Sequence, residues 1–190
     1  MIKIGILGDI GSGKSYVARK FGYPVFNADH EVAKLYQQNK KIFNKLKKSL
    51  PKYIYSFPIE KKEISNAILA NKNNLKKIVK IVHAEVRKKM HLFLKRHKKK
   101  KIVILDVPLL LENKINKKGD ILVFIQSKQS DILKRLKKRK NFNQKLLKKF
   151  KDIQYPISYK KKKSNFIIKN DFTKKTVNNG IKNILKEIAQ

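Results

Sequence analysis

The chain has 190 residues, no cysteine and a formal net charge of +36. This length suits a single domain with a sizeable core, and a chain without cysteine has neither disulfides nor thiolate metal sites. No apolar run approaches the roughly 18 residues that a membrane span requires. The first residues are typical of a strand rather than a signal peptide, so we expect a cytoplasmic protein without a membrane partner.

The positive charge comes from 44 lysines and only 5 arginines. The lysines are spread along the whole chain and accompany many isoleucines and asparagines, as a bias toward A/T-rich codons would produce. Arginine, rather than lysine, provides the paired hydrogen bonds with which many proteins bind nucleic acids. The functional alternative is a nonspecific attraction to nucleic acids, and in either case a positive field attracts polyanionic small substrates. We expect no specific nucleic-acid partner.

Runs of apolar residues predict five strands, and apolar residues at helical spacing predict the helices between them. The predicted strands are 2–7, 24–26, 102–106, 120–125 and 166–168. The predicted helices are 15–21, about 28–37, 39–50, 59–70, 71–97, 129–140, 143–153 and 173–189. This alternation predicts an α/β fold with a parallel sheet and helices on both faces, in which right-handed crossovers place the first strand at the centre.

A glycine-rich segment, Gly8-Asp9-Ile10-Gly11-Ser12-Gly13-Lys14-Ser15, follows the first predicted strand and precedes a helix. It matches the phosphate-loop pattern G-x-x-x-x-G-K-[ST] in full. Its backbone amides and the helix N-terminus can surround phosphate oxygens, while Lys14 neutralises the outer phosphates and the Ser15 hydroxyl ligates Mg²⁺. The predicted nucleotide-binding residues are Gly11, Ser12, Gly13, Lys14, Ser15 and Tyr16.

Two acidic residues follow predicted strands. Asp29 comes after the second strand and Asp106 ends the third. The carboxyl ends of parallel strands share one edge of a sheet, which is also the edge of the glycine loop. Asp29 could accept a hydroxyl proton during phosphoryl transfer, or it could cap the next helix. Asp106 could hold Mg²⁺ through water, or it could be an ordinary residue at the end of a strand.

Arginine is scarce enough here that its positions are informative. Arg135 and Arg139 lie four residues apart on one predicted helix, as His83 and Arg87 do on another. A retained arginine favours a phosphate ligand that needs the planar guanidinium, whereas a solvated helix face is the structural alternative. His83 could equally be an ordinary core or surface histidine, and the four histidines lack metal-ligand spacing.

Several segments, taken together and in order, resemble the dephospho-coenzyme A kinase family. Besides the glycine loop, they are Asn27-Ala28-Asp29, His83-Ala84-Glu85-Val86-Arg87, Asp106-Val107-Pro108-Leu109-Leu110-Leu111-Glu112, the helix at 131–139 and the run at 154–170. Many kinases share the phosphate loop, whereas the P-L-L-x-E segment combined with the H-x-x-V-R segment is much more specific. The resemblance extends from residue 2 to about residue 170.

The resemblance implies transfer of the γ-phosphate of ATP to the ribose 3′-hydroxyl of dephospho-CoA, with Mg²⁺, in the last step of CoA biosynthesis. It implies a catalytic role for Asp29 as the base, together with Lys14 and Arg139. The residues that it places near the acceptor substrate are His83, Arg87, Pro108, Leu109 and Glu112. The expected partners are therefore ATP and dephospho-CoA, bound by a monomer or a small homo-oligomer.

The resemblance also implies a P-loop kinase-like three-layer sandwich with a five-stranded parallel sheet and a helical lid. Residues 1–190 would form a single domain, with an acceptor-binding helical region at about 39–97 and a lid at about 140–163. Asp9, Asn27 and Phe150 depart from the family pattern, because they replace a glycine, an acid and a frequent lid arginine.

Two other functions remain open from the sequence. A nucleoside or nucleoside monophosphate kinase would need several arginines in its acceptor region, where only Arg87 and Arg96 lie. A nucleic-acid-binding P-loop protein would need aromatic stacking platforms among its basic residues. The one aromatic cluster, at 53–57, would serve equally well as a hydrophobic flap.

Overall fold

The computed structural model describes residues 1–140 and 142–189. The chain divides into two compact units, which we call the sheet unit and the helical unit. The sheet unit comprises Met1–Asn27, His97–Phe142 and Gln154–Gln190, and the helical unit comprises Ala28–Arg96 and Asn143–Ile153. The predicted roles of 39–97 in acceptor binding and of 140–163 as a lid concern function, and they stay predictions.

The sheet unit contains five parallel strands in the order β2-β3-β1-β4-β5. Their bounds are β1 Ile2–Gly8, β2 Val25–Asn27, β3 Ile102–Asp106, β4 Ile121–Gln126 and β5 Phe166–Lys169. The predicted five-stranded parallel sheet is confirmed, with each strand boundary within one residue of its predicted position. The first strand is central as expected, because it pairs with β3 on one side and β4 on the other.

The helices α1 Lys14–Lys20, α6 Gln129–Lys137, α8 Ile157–Lys162 and α9 Lys174–Ala189 belong to the sheet unit. Residues of α1 and α9, among them Val17 and Ile181, share one buried core with the sheet residues Ile4 and Ile104. On the other face of β1, a Cβ on Gly5 would lie 2.8 Å from the Leu110 side chain. Apolar β1 is therefore packed on both faces, as its composition predicts.

The helix α8 is absent from the sequence-based prediction. It has only six residues, begins after Pro156 and is mostly lysine toward its end, so it offers no apolar periodicity to detect. The prediction for α6 was also wrong at its end, because the helix stops at Lys137 rather than at residue 140. There the Arg139 amide bonds to the Leu136 carbonyl, which is a tighter turn than the α-helical bond.

The helical unit contains five helices within the part of the chain that the structure describes. They are α2 Ala28–Gln38, α3 Lys40–Ser49, α4 Lys61–Ala70, α5 Lys72–Arg96 and α7 Gln144–Lys151. The predicted apolar stripe of α5 is largely confirmed: Leu75, Ile78, Val82, Val86 and Met90 are buried, whereas Val79 and Leu94 are half-buried. No described helix has the length and apolar character needed to cross a membrane.

A buried carboxylate organises the aromatic loop before α4. Glu63 is only 1% exposed, and its Oε2 accepts hydrogen bonds from the backbone amides of Tyr55, at 2.9 Å, and Ser56, at 3.4 Å. The Ser56 hydroxyl donates to its other oxygen. Burial opposes ionisation, but the hydrogen bonds from the Ser56 hydroxyl and the two amides outweigh it and hold the pKa of Glu63 below its ordinary value.

Replacing Glu63 with alanine is expected to destabilise the protein by about 1–3 kcal/mol, because two loop amides and a hydroxyl lose their acceptor. Since the folded-state pKa is lowered, the stabilisation from ionised Glu63 is fully present above its ordinary pKa of 4.5 and is lost as the pH falls through the folded value. Urea unfolding of wild type and Glu63→Gln over a pH series measures this loss of stability. The stability gap between wild type and Glu63→Gln should narrow toward acid pH, and a constant gap would contradict the assignment.

Candidate active site

The glycine loop connects β1 to α1 in a conformation that only glycine adopts without strain. Gly11 and Gly13 have φ angles of 88° and 89°. A Cβ on Gly13 would lie 2.5 Å from Asn170 Nδ2, and a Cβ on Gly11 would lie 3.0 Å from the Leu136 side chain. The loop is thus held closely between α6 and the residues after β5, so a side chain at either position would be both crowded and strained.

Side chains after β4 and β5 anchor the loop through one carbonyl. The Ser12 carbonyl accepts a hydrogen bond from Asn170 Nδ2 at 2.8 Å and from Ser127 Oγ at 3.1 Å. Asn170 is 2% exposed, and its Oδ1 accepts from the Phe172 amide, so its orientation is set on both sides. Asn170 was not among the predicted site residues, although an asparagine directly after the last strand lies at the edge where ligands bind.

Lys14 lies across the loop that precedes it. Its Nζ donates to the Asp9 carbonyl at 2.7 Å and to the Gly8 carbonyl at 3.2 Å. Asp9, which departs from the family pattern, is buried, and its carboxylate accepts from the Ile10 amide and from Gln129 Nε2. The negative charge of Asp9 is therefore held by the loop amide and by the first turn of α6, while Lys14 contacts backbone oxygens.

Three polar side chains from different elements meet beside the start of α1. Asn27 Nδ2 lies 2.5 Å from Asp106 Oδ2 and 3.5 Å from Ser15 Oγ. Asn27 and Asp106 are brought together because they are paired residues in the β2–β3 register. Asp106 is 2% exposed, so its carboxylate is directed into this group rather than into solvent.

This group has the hard oxygen ligands that Mg²⁺ prefers, a hydroxyl and a carboxylate. Among the described residues, no group of three or more His, Cys, Asp or Glu is arranged to hold a metal. Mg²⁺ commonly takes one or two protein oxygens and completes its shell with water and substrate phosphates. Ser15 and Asp106 therefore fit Mg²⁺ that is bound together with a nucleotide.

The two predicted arginines lie in α6 and in the turn after it. The Arg135 guanidinium stacks over the Phe172 ring, 4.2 Å from its centroid, which is a cation–π arrangement. Arg139 is exposed and lies two residues beyond the end of α6. The two arginines are therefore not on one helix face as predicted, because the helix ends between them.

The segment after β3 contains three residues that the resemblance placed near the acceptor. Pro108 and Leu109 are half-buried. Glu112 Oε1 accepts hydrogen bonds from the Tyr155 amide and from Lys160 Nζ, both at 2.8 Å. Lys160 was not a predicted site residue, since a lysine in a lysine-rich chain has no distinguishing sequence signal.

The remaining predicted residues belong to the helical unit. Asp29 is exposed and is the second residue of α2, whereas an N-cap precedes the first helical residue. A carboxylate in the first turn is favoured by the helix dipole. His83 is half-buried and Arg87 is exposed, one helical turn apart on α5. Their roles toward a substrate stay predictions.

A parallel sheet with its first strand at the centre, followed by a glycine loop and a lysine at the start of a helix, defines a nucleotide-binding protein of the P-loop kinase fold. A family model described as dephospho-CoA kinase matches residues 2–176. The chain belongs to the dephospho-CoA kinase family.

A curated relative has the same family name, and two solved structures share the fold. The dephospho-CoA kinase of Wolbachia pipientis wMel is 34% identical over 190 residues, which cover 97% of each chain. The crystal structure of TT1252 from Thermus thermophilus has a TM-score of 0.78 and 25% identity, with 98% of this chain and 97% of that one covered. Dephospho-CoA kinase from Campylobacter jejuni, at 24% identity and a TM-score of 0.60 over 98% and 96% of the chains, shares the fold.

Proposed function

We propose that this chain transfers the γ-phosphate of ATP to the 3′-hydroxyl of dephospho-CoA and releases CoA and ADP. The observation that carries the proposal is the match of a dephospho-CoA kinase family model to residues 2–176, which include every residue of the candidate site. The phosphate loop is complete and folded, and its lysine and serine are retained. Both proposed substrates are polyanions, which suit the strongly positive chain.

In the proposed reaction, the amides of the glycine loop and the Lys14 ammonium bind the nucleotide phosphates. Mg²⁺, held by the Ser15 hydroxyl and by Asp106 through water, would neutralise charge on the phosphates when it is bound. Asp29 accepts the proton of the attacking ribose hydroxyl, which makes that oxygen a better nucleophile. Arg139 provides a further cation for the charge on the transferred group.

A coupled ADP-release assay with purified protein tests the proposal. We expect turnover with dephospho-CoA that greatly exceeds turnover with adenosine, nucleoside monophosphates or water as the acceptor. A product phosphorylated at the 3′ position, identified by mass spectrometry and by comparison with CoA, completes the assignment. Equal turnover with dephospho-CoA and with nucleosides would reject the proposed acceptor while leaving the kinase fold unaffected.

Asn27 offers a separate test of the proposed Mg²⁺ ligands. Replacing Asn27 with aspartate puts a second carboxylate where the amide now lies 2.5 Å from Asp106 Oδ2. Without metal, the repulsion between these carboxylates is expected to destabilise the protein by about 1–3 kcal/mol, comparable to losing a buried hydrogen bond. Mg²⁺ should restore much of this stability, because it favours both ionised forms.

Thermal unfolding of wild type and Asn27→Asp, each with EDTA or with Mg²⁺, measures the effect. Asn178→Asp is the matched control, since it makes the same substitution at an exposed residue of α9, outside the group of Ser15, Asn27 and Asp106. A stabilisation by Mg²⁺ that is the same in all three proteins would contradict the assignment of Asp106 to the metal.

A further inference from the structure

Glu112 and Lys160 form a buried ion pair that the proposed reaction does not use. Lys160 is 2% exposed, and the side chains of Lys160 and Glu112 are 3% and 9% exposed. The Lys160 ammonium also donates to Gln154 Oε1 at 2.8 Å. Burying two ions is costly unless their hydrogen bonds are well satisfied. The burial of Lys160 among so many solvated lysines therefore requires a structural explanation.

The ion pair connects two segments that are far apart in the sequence. Glu112 lies shortly after β3, in the segment that also contains Pro108 and Leu109. Lys160 lies on α8, just after Gln154, where the chain re-enters the sheet unit. The Glu112 oxygen that binds Lys160 also accepts a hydrogen bond from the Tyr155 amide. One carboxylate oxygen therefore contacts both Tyr155, which precedes α8, and Lys160, which lies within it.

The first residue of α8 lies beside the phosphate loop. Ile157, at the start of α8, lines a cavity of about 40 Å³ together with Asp9 and Ser12 of the loop and Gln129 of α6. The helix also packs against β1, the strand that leads into the loop. A shift of α8 would therefore displace the residues that support the phosphate loop and the segment after β3.

We propose that the Glu112–Lys160 pair fixes α8 between the segment after β3 and the phosphate loop, and that Glu112 and Lys160 thereby act as positioning residues for phosphoryl transfer. The expected effect on the rate of phosphoryl transfer rests on the proposed function, whereas the fixing of α8 by the ion pair does not. Glu112 would then act on α8 through its Oε1, while its Oε2 is buried without a hydrogen-bond partner among the described residues. A displacement of about 1 Å in a positioned group can lower a rate on the order of 10²-fold.

Four variants separate positioning from folding. Glu112→Gln and Lys160→Met each remove one charge, the double variant E112Q/K160M removes both, and Lys162→Met removes an exposed lysine of α8 as the matched control. Each single variant should lower the melting temperature because it leaves a buried charge without its partner. The double variant has no such charge and should recover much of the melting temperature. We expect kcat to stay about 10- to 100-fold low in the double variant, with wild-type values for Lys162→Met.

Hydrogen exchange followed by mass spectrometry provides a readout without substrate. Peptides that contain residues 155–162 should exchange faster in both single variants and in the double variant than in wild type. Unchanged exchange there, or a kcat that recovers together with the melting temperature in the double variant, would overturn the inference. Failure of the proposed function gives a different result, namely no turnover of dephospho-CoA by the wild type while the exchange difference persists.

Discussion

Replacing Asp29 with asparagine is expected to lower kcat by about 10²- to 10⁴-fold, the usual contribution of a general base. Asparagine keeps the shape of the side chain but cannot accept the hydroxyl proton. The affinity for ATP should change little, because the loop amides, Lys14 and Ser15 are all retained. Steady-state kinetics with dephospho-CoA, together with calorimetric titration of ATP, measure the two effects separately.

Glu31→Gln is the matched control for Asp29. Glu31 is the other acidic residue in the first turn of α2, and its carboxylate lies 3.6 Å from the Lys34 ammonium in a surface ion pair of small energetic value. Its removal should leave kcat within about twofold of the wild type, as expected for an exposed pair. A mild loss in Asp29→Asn, similar to that in Glu31→Gln, would remove Asp29 from the proposed role as base.

Replacing Lys14 with alanine should impair both ATP binding and catalysis. The ammonium lies over the loop, 2.7 Å from the Asp9 carbonyl, at the end of the segment whose amides would surround the phosphates. By analogy with the loss of one preorganised group that stabilises developing charge, we expect kcat to fall by about 10²- to 10³-fold, with weaker ATP binding in addition. Single-turnover kinetics and ATP titration measure these losses.

Lys20→Ala is the control, because Lys20 is exposed at the opposite end of α1, with its ammonium 5.7 Å from the centre of the Tyr16 ring. It removes one positive charge from the same helix, so it accounts for the general effect of the positive field. Equal losses in Lys14→Ala and Lys20→Ala would mean that ATP is attracted by net charge rather than bound by the loop lysine.

The glycine loop and the strands were predictable because their signals are local. A nearly continuous apolar run such as Ile2–Leu7 is typical of a strand buried on both faces, and the following glycines and lysine predict a loop that can surround phosphates. The long helix α5 was predictable for the same reason, since its apolar residues recur at helical spacing. The weakest predictions concern α8 and the end of α6, where lysine-rich segments have little periodicity.

The amino-acid sequence by itself determined the strand–loop–helix order at the phosphate loop, the central position of β1, and the set of motifs that identified the family. Only the tertiary structure decided which polar side chains meet: Asn170 with the Ser12 carbonyl across 158 positions, and Asn27 with Asp106 across 79. It also decided that Lys160 is buried against Glu112. Such pairs depend on strand order and helix docking, which bring together residues far apart in the chain, and no local pattern distinguishes Lys160 from the solvated lysines around it.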